Sequence, residues 1–464
     1  MPFFKLEIPP GLDRTGTEYQ SMGRYYDSDL VRWFQGRIRA IGGWTSLSTG
    51  MTGIARAMHN WVDNSAVGRA AIGTESKLYV VTTDGTRTDI TPSGYVAQDA
   101  DSSTWGLDSS GQLLIGCNDG EGVIYTWTPG APLALTLANA PSADGVLVTN
   151  EGIIMALGSA GNPRQVSWCD RDDYTDWSAG PVDLAGDLVV HAKGAIQGGR
   201  NIRAGSLVWT GEDLHLARYV GLPNVYGIDL VADDCGAISR GCMVTVDNMA
   251  YWMGHSDFFV CNGGSFVETI PCLIYDDVFG DLDRDNLHKI RAIHVAEYNE
   301  IWWLYPHVDD AGTNNSRVAV FNYKENHWGW HKLARNCGIG RGVGFRQPLL
   351  AEGATLWTHE TGTSRSGVGT PFARSGPVEI GTGEKVMHAR RCIPDEASAG
   401  DVNVYFYTRL YPNSAETEHG PYSAANPVNV RFMGRQVSMK FQEASPSDWR
   451  VGNYRIEALA GGRR

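Results

Sequence analysis

From about Gly53 to Gly362 the chain repeats one loose unit: an apolar strand, a Gly, Asp or Asn turn, a second strand, then a polar loop. "RAAIGTESKLYVVTTDGTRTDI", "TWGLDSSGQLLIGCNDGEGVIYTW", "GVLVTNEGIIMALGSAGNPRQVSW" and "GCMVTVDNMAYWMGHSDFFVCNGGSFVETI" are examples. The units return at roughly 35 to 50 residues, the period of β-propeller blades built from about four short strands each. In "HVAEYNEIWWLYP", Ile301 and Trp303 continue one face and Trp302 and Leu304 take the other. A strand apolar on both faces has to be covered on both, which stacked blades do. The expected fold is mainly β, a divergent propeller of six or seven blades.

The flanks read differently. Residues 1–50 show little alternation and are expected to form an extended N-terminal arm that crosses to a neighbour, with a short helix around Ser28–Phe34. Residues 51–365 are assigned to the propeller. Within them, Val278, Leu282 and Leu287 fall near helical spacing and predict a helical insertion at 276–290. Residues 366–464 change texture: Val402, Val404, Phe406, Thr408 and Leu410 alternate with Asn403, Tyr405, Tyr407, Arg409 and Tyr411, which predicts a C-terminal β-sandwich. Met433–Gly434 is read there as a hairpin turn.

Charge narrows the function. A net charge of −13 argues against wholesale adhesion to nucleic acid, although DNA sliding past without sticking is compatible with it. With 31 Arg against 8 Lys, the basic residues favour fixed pairs and interfaces over solvated surface. The 8 cysteines are far apart, form no CxxC pair and are expected as buried free thiols. "MPFFKLEIPPG" lacks the charged and apolar regions of a signal peptide, and no apolar run reaches the ~18 residues of a membrane span, so synthesis in the cytoplasm is expected.

The candidates for chemistry each have a bland alternative. His327 and His331 in "HWGWH" are spaced like zinc ligands on a helix, but the tryptophans and glycine between them favour a strand or turn. Asp281, Asp283 and Asp285 imitate the start of a calcium loop, yet Asn286 replaces its glycine and Ala292 its final glutamate, so carboxylates near a helix start are preferred. His255, Ser256 and Asp257 are neighbours, so a strand would point them to opposite faces. "GIGRGVGF" at 338–345 is read as a loop, not a phosphate cradle. Glu352 with Glu360, and Asp172 with Asp173, are the carboxylate pairs a glycosidase would need. No catalytic residue, metal ligand or cofactor is assigned, and the chain is expected not to be an enzyme.

One stretch carries more weight. "RYYDSDLVRWFQGRIRAIGGW", residues 24–44, interleaves Arg24, Arg32, Arg37 and Arg39 with Tyr25, Tyr26, Trp33, Phe34 and Trp44. This suits phosphate contacts with base stacking. It equally suits an Arg- and Trp-rich interface, and Asp27 and Asp29 tilt the reading toward an anchor to the propeller or a neighbouring subunit. The six interface candidates are Arg24, Arg32, Trp33, Arg37, Arg39 and Trp44.

That stretch, together with "WCDRDDYTDW", "NEIWWLYP", "VAVFNYKENHWGW", "LWTHETG" and the tail "IPDEASAGDVNVYFYTRLYP…RVGNYRIEALAGGRR", resembles the tail hub, or nozzle, proteins of short-tailed bacteriophages. The resemblance implies a structural virion protein of the phage tail, assembled in the host cytoplasm. It implies a hexameric ring below the portal and adaptor, through whose lumen double-stranded DNA is sealed and then ejected without sequence-specific binding. It also implies tail fibres or spikes and a plug or needle as neighbours. The alternative is a carbohydrate-binding or glycoside-hydrolysing propeller, with Trp302, Trp303, Trp328 and Trp330 as sugar-stacking faces.

Overall fold

The computed structural model describes residues 3–181, 183–379, 385–395, 398, 400–424 and 426–461. Seven four-stranded antiparallel sheets follow one another, with inner strands Ala55–Val62, Trp105–Ser110, Gly145–Val148, Ile196–Ile202, Met243–Val246, Arg291–Val295 and Cys337–Ile339. Each inner strand packs beside the next, and the last returns to the first, closing a seven-bladed β-propeller. The sequence left six or seven blades open, and the seventh is short because its outer strand comes from elsewhere. Trp44–Ser48 pairs with Thr355–His359 and completes that blade from the N-terminal side. The ring is therefore latched by two distant parts of the chain, and the propeller starts at Trp44, before the expected boundary of 51.

The expected arm of residues 1–50 is not free over its described part, residues 3–50. Phe3–Leu6 pairs with Tyr454–Ala460, and Tyr25–Asp29 pairs with Phe372–Ser375, so both become strands of the C-terminal sandwich. The expected helix at Ser28–Phe34 is strand, because Val31–Phe34 turns back on Arg37–Ala40. Gln35 and Gly36 at that turn have φ of 53° and 71°, the left-handed pair that tight two-residue hairpins require. The hairpin also pairs with Arg450–Val451.

Among the described residues, the sandwich has a six-stranded and a four-stranded sheet. Val402, Val404 and Phe406 face inward as the alternation predicts, and Phe406 meets Phe432 of the opposite sheet at 4.7 Å between ring centroids. Leu410 is exposed because its strand ends at Arg409. The expected hairpin at Met433–Gly434 is a crossing between sheets: Val428–Gly434 belongs to one and Gln436–Glu443 to the other. The insertion at 276–290 is two short helical turns, Asp276–Gly280 and Arg284–Lys289, rather than one helix. Asp283 caps the second by accepting from Asp285 N, which breaks the run. Val278 and Leu282 are nevertheless buried, as their spacing suggests.

Candidate functional site

The propeller axis is the first place to look. Glycines Gly106, Gly145, Gly198, Gly199, Gly241 and Gly338 bring the inner strands close around a cavity of about 90 Å³, room for only a few water molecules. A Cβ on Gly241 would meet Arg291 Cδ at 2.3 Å, and one on Gly338 would meet Leu349 O at 2.8 Å. Two arginines close the end of the axis where the inner strands begin. Arg240 bonds Asp119 at 3.3 Å and Asp144 at 3.2 Å. Arg291 donates to the carbonyls of Arg56, His288 and Ile290, each at 2.8 Å, and to Thr104 Oγ1 at 2.5 Å. Burial pushes its pKa down to about 10, still charged at neutral pH. A DNA duplex cannot pass through an axis filled in this way.

The N-terminal hairpin forms the strongest polar joint. Arg32 is buried and bonds Glu300 through Nε at 3.0 Å and Nη2 at 3.1 Å. It bonds Glu360 through Nη1 at 2.8 Å and Nη2 at 2.7 Å. Its guanidinium also lies 3.6 Å from the ring centre of Tyr298. Burial opposes the charge on Arg32, and the two carboxylates overcome it, holding the group more firmly protonated than usual. Burial in turn pushes the Glu300 carboxyl up despite Arg32. Glu300 lies in blade 6 and Glu360 just after the last chain-local strand of blade 7, so one side chain ties the hairpin to both.

The other interface candidates divide. Trp33 is buried against Tyr25 and His327. Trp44 is buried, stacks on His359 at 5.0 Å and lies under the Arg335 guanidinium. Arg39 pairs with Asp448 at 3.0 Å. Arg24 and Arg37 are exposed. Arg32, Trp33 and Trp44 thus lie inside one chain, locking the hairpin and the latch strand to the propeller.

The remaining candidates are dispersed. His327 and His331 share a strand; His327 pairs with Glu325, and burial with the nearby Arg32 charge pushes His331 down to about 3. Ser256 donates to Asp257 in an exposed turn. Glu352 bonds Arg335 and Glu360 bonds Arg32, while Asp172 and Asp173 lie exposed on a blade 3 loop. Trp302, Trp303, Trp328 and Trp330 are all buried, which removes them as sugar-stacking faces. Gly338 and Ile339 of "GIGRGVGF" lie in the inner strand of blade 7, and the rest forms a loop against blade 1.

Sequence reasoning missed a surface pocket of about 580 Å³ between blades 6 and 7 and residues 366–369, whose wall includes Arg317, Lys332, Arg335 and Trp357. Nothing in the local pattern of "SRVAVFNY" or "KLARNCG" marks those arginines. Their convergence depends on the packing of two blades.

No family model matches the chain, and no curated protein matches it. Similar solved structures are a streptogramin B lyase, with 9% identity, TM-score 0.45, 68% of this chain and 96% of that one covered. A gluconolactonase-like protein shows 11% identity, TM-score 0.37 and coverages of 71% and 93%. A catalytically inactive virginiamycin B lyase from Staphylococcus aureus shows 7% identity, TM-score 0.35 and coverages of 73% and 95%. These likenesses concern the propeller fold, and this chain is a β-propeller protein. The expectation that the chain is not an enzyme is corrected: the solved structures similar to it include lyases, and a propeller fold by itself decides neither for nor against catalysis.

Proposed function

We propose that the chain is an assembly subunit of a phage tail hub or nozzle. Its ring would attach to the portal-adaptor complex, carry fibres or spikes, and pass DNA between copies rather than through the propeller axis. The observation that carries this reading is a separation of charge on one body. The exposed face of the four-stranded sandwich sheet bears Lys5, Arg390, Arg391, Arg431 and Arg455 against Glu457 and against Glu7, which pairs with Lys5. The loop between Gln165–Trp168 and Gly186–Val189 of blade 3 bears Asp170, Asp172, Asp173, Asp176 and Asp183 against Arg171.

The sandwich leans on the outer strand of blade 6, through Tyr25–Asp29 and Val31–Phe34. In a ring of seven blades, blade 3 stands across the axis from blade 6. Unlike surfaces on opposite sides of a subunit favour head-to-tail contacts, which close into rings when the rotation permits. The phrases behind the tail-hub resemblance also meet physically: Arg32, Glu300 and Glu360 come from three of them and make one joint. Electron microscopy of the purified protein, alone and with its adaptor, is expected to show a six-fold ring with a narrow axial hole. A strictly monomeric protein under both conditions would overturn the proposal.

The second reading is a carbohydrate-binding or glycoside-hydrolysing propeller. It is favoured by the blade 6–7 pocket, where half-buried Trp357 stands near the partly exposed carboxylate of Glu352. Glycan binding lost in Trp357→Ala, or hydrolysis lost in Glu352→Gln, would support it. Silence on a broad glycan array and on chromogenic glycosides would remove it.

A further inference from the structure

The hairpin formed by the last two strands of blade 4, Leu214–Gly221 and Val225–Ala232, ends in an apolar tip, where turns are ordinarily polar. Tyr219, Val220, Leu222 and Pro223 are all exposed there, Val220 at 59% and Leu222 at 49%. Single exposed apolar side chains are ordinary, but four at one tip mark a contact surface. The tip is braced from behind. Tyr219 packs edge-on against Tyr226 at 5.7 Å, and Tyr226 meets Trp168 of blade 3 at 5.3 Å and donates to Glu151 at 3.0 Å. Trp168 ends the strand that enters the acidic blade 3 loop, and its indole N–H donates to Leu184 O at 2.8 Å where that loop closes. The apolar tip and the acidic loop therefore stand side by side, with Arg171, Arg203 and Arg218 as the exposed cations among them.

The complementary surface lies on the sandwich. A groove of about 860 Å³ follows Val428–Gly434, the outermost strand of the four-stranded sheet, lined by Met433, Leu459 and Phe432 and flanked by His388, Arg390 and Arg431. Met433 is 56% exposed, while Phe432 is buried. The groove joins an apolar strip to a basic surround, and the tip joins an apolar knob to an acidic one. Each is the other's complement in both hydropathy and charge.

We propose that the blade 4 tip of one copy seats in the sandwich groove of the next, with Val220 and Leu222 against Met433 and Leu459 and the acidic blade 3 loop against Arg390 and Arg431. The inference rests on the ring reading and names the contact that builds it. Because tip and groove are different surfaces of one chain, the contact is head-to-tail and repeats from copy to copy until the rotation closes. A two-fold dimer through either surface alone would set acidic loop against acidic loop, or basic sheet against basic sheet, which like charges oppose.

The test is sedimentation velocity of the whole chain from about 1 to 50 μM, alone and with its adaptor. Val220→Lys with Leu222→Lys alters only the tip, and Arg431→Asp with Met433→Asp only the groove; all four side chains are exposed, and circular dichroism checks the fold. Each double variant is expected to associate about 30-fold or more weakly than the native chain. An equimolar mixture of the two is expected to reassemble, because native tips meet native grooves and the two substituted surfaces attract each other. Variants that assemble like the native chain, or that fail and do not rescue each other, overturn this contact and leave the ring reading standing. A native chain that stays monomeric under both conditions removes both. Phosphatidylcholine vesicles test the other occupant an apolar tip can have: binding by the native chain that the tip variant abolishes, with assembly unchanged, assigns the tip to a lipid surface and overturns the proposal.

Discussion

Replacing Arg32 by alanine leaves Glu300 and Glu360 buried with no guanidinium between them. All three side chains are nearly inaccessible, at 1%, 1% and 3%, so water does not take over the solvation of the two carboxylates. Breaking a buried, hydrogen-bonded ion pair by removing one partner costs about 3–5 kcal/mol. Because both carboxylates bond the same Nη2, their nearest oxygens lie within about 6 Å, where like charges repel by about 3 kcal/mol at an effective dielectric constant of about 20. Protonation of one glutamate would relieve that repulsion, and burial already pushes Glu300 in that direction. A loss of about 4–6 kcal/mol near pH 8, smaller near pH 5, is expected. Urea unfolding followed by tryptophan fluorescence measures it. The triple variant Arg32→Met, Glu300→Gln, Glu360→Gln should recover much of the loss, because no uncompensated charge remains. A loss below about 1 kcal/mol in Arg32→Ala, or a triple variant no better than the single one, would refute the electrostatic account of the joint.

Burial pushes the Asp29 carboxyl up to about 6, above its usual range, although Lys332 N donates to it. Its ionised form therefore penalises folding above pH ~6, and stability is regained as pH falls from about 6 to about 4; Asp29→Asn, which keeps the acceptor, should add up to about 3 kcal/mol at pH 8 and flatten that window in pH-dependent unfolding. Gly241→Ala forces a methyl against the Arg291 side chain and should lower stability by about 1–3 kcal/mol, read as an earlier thermal transition. The eight thiols are free and seven are buried, and burial pushes Cys272, the partly exposed one, up to about 12. A thiol reagent at pH 8 should therefore label the native chain slowly and all eight sites rapidly once it is denatured.

The strands were legible because burial on both faces leaves a local mark. The run from Glu300 to Tyr305 reads as apolar on alternate sides and is buried throughout, and the turn before it places Asn299 at a φ of 58°. Alternation from Val402 to Phe406 survived for the same reason. The helical spacing at 276–290 misled in part, since Asp283 caps a new turn there and splits the segment. Among the site residues, the Arg and Trp richness of residues 24–44 drew attention to the hairpin but named none of the partners of Arg32. Glu300 and Glu360 lie 268 and 328 positions beyond Arg32, and no local pattern pairs charges at that separation.

By itself, the sequence determined that blades exist and that the termini differ from them, because strand period, turn residues and two-sided burial are properties of neighbouring positions. Only the tertiary structure decided that seven blades close, that Trp44–Ser48 supplies the last strand, and that the first residues belong to the terminal sandwich. Those outcomes rest on pairing between distant segments, where the free energy comes from edges satisfied and charges met across the whole chain. The same holds for the pocket that unites Arg317 and Arg335: each arginine is ordinary where it stands in the sequence, and the packing of two blades makes them neighbours.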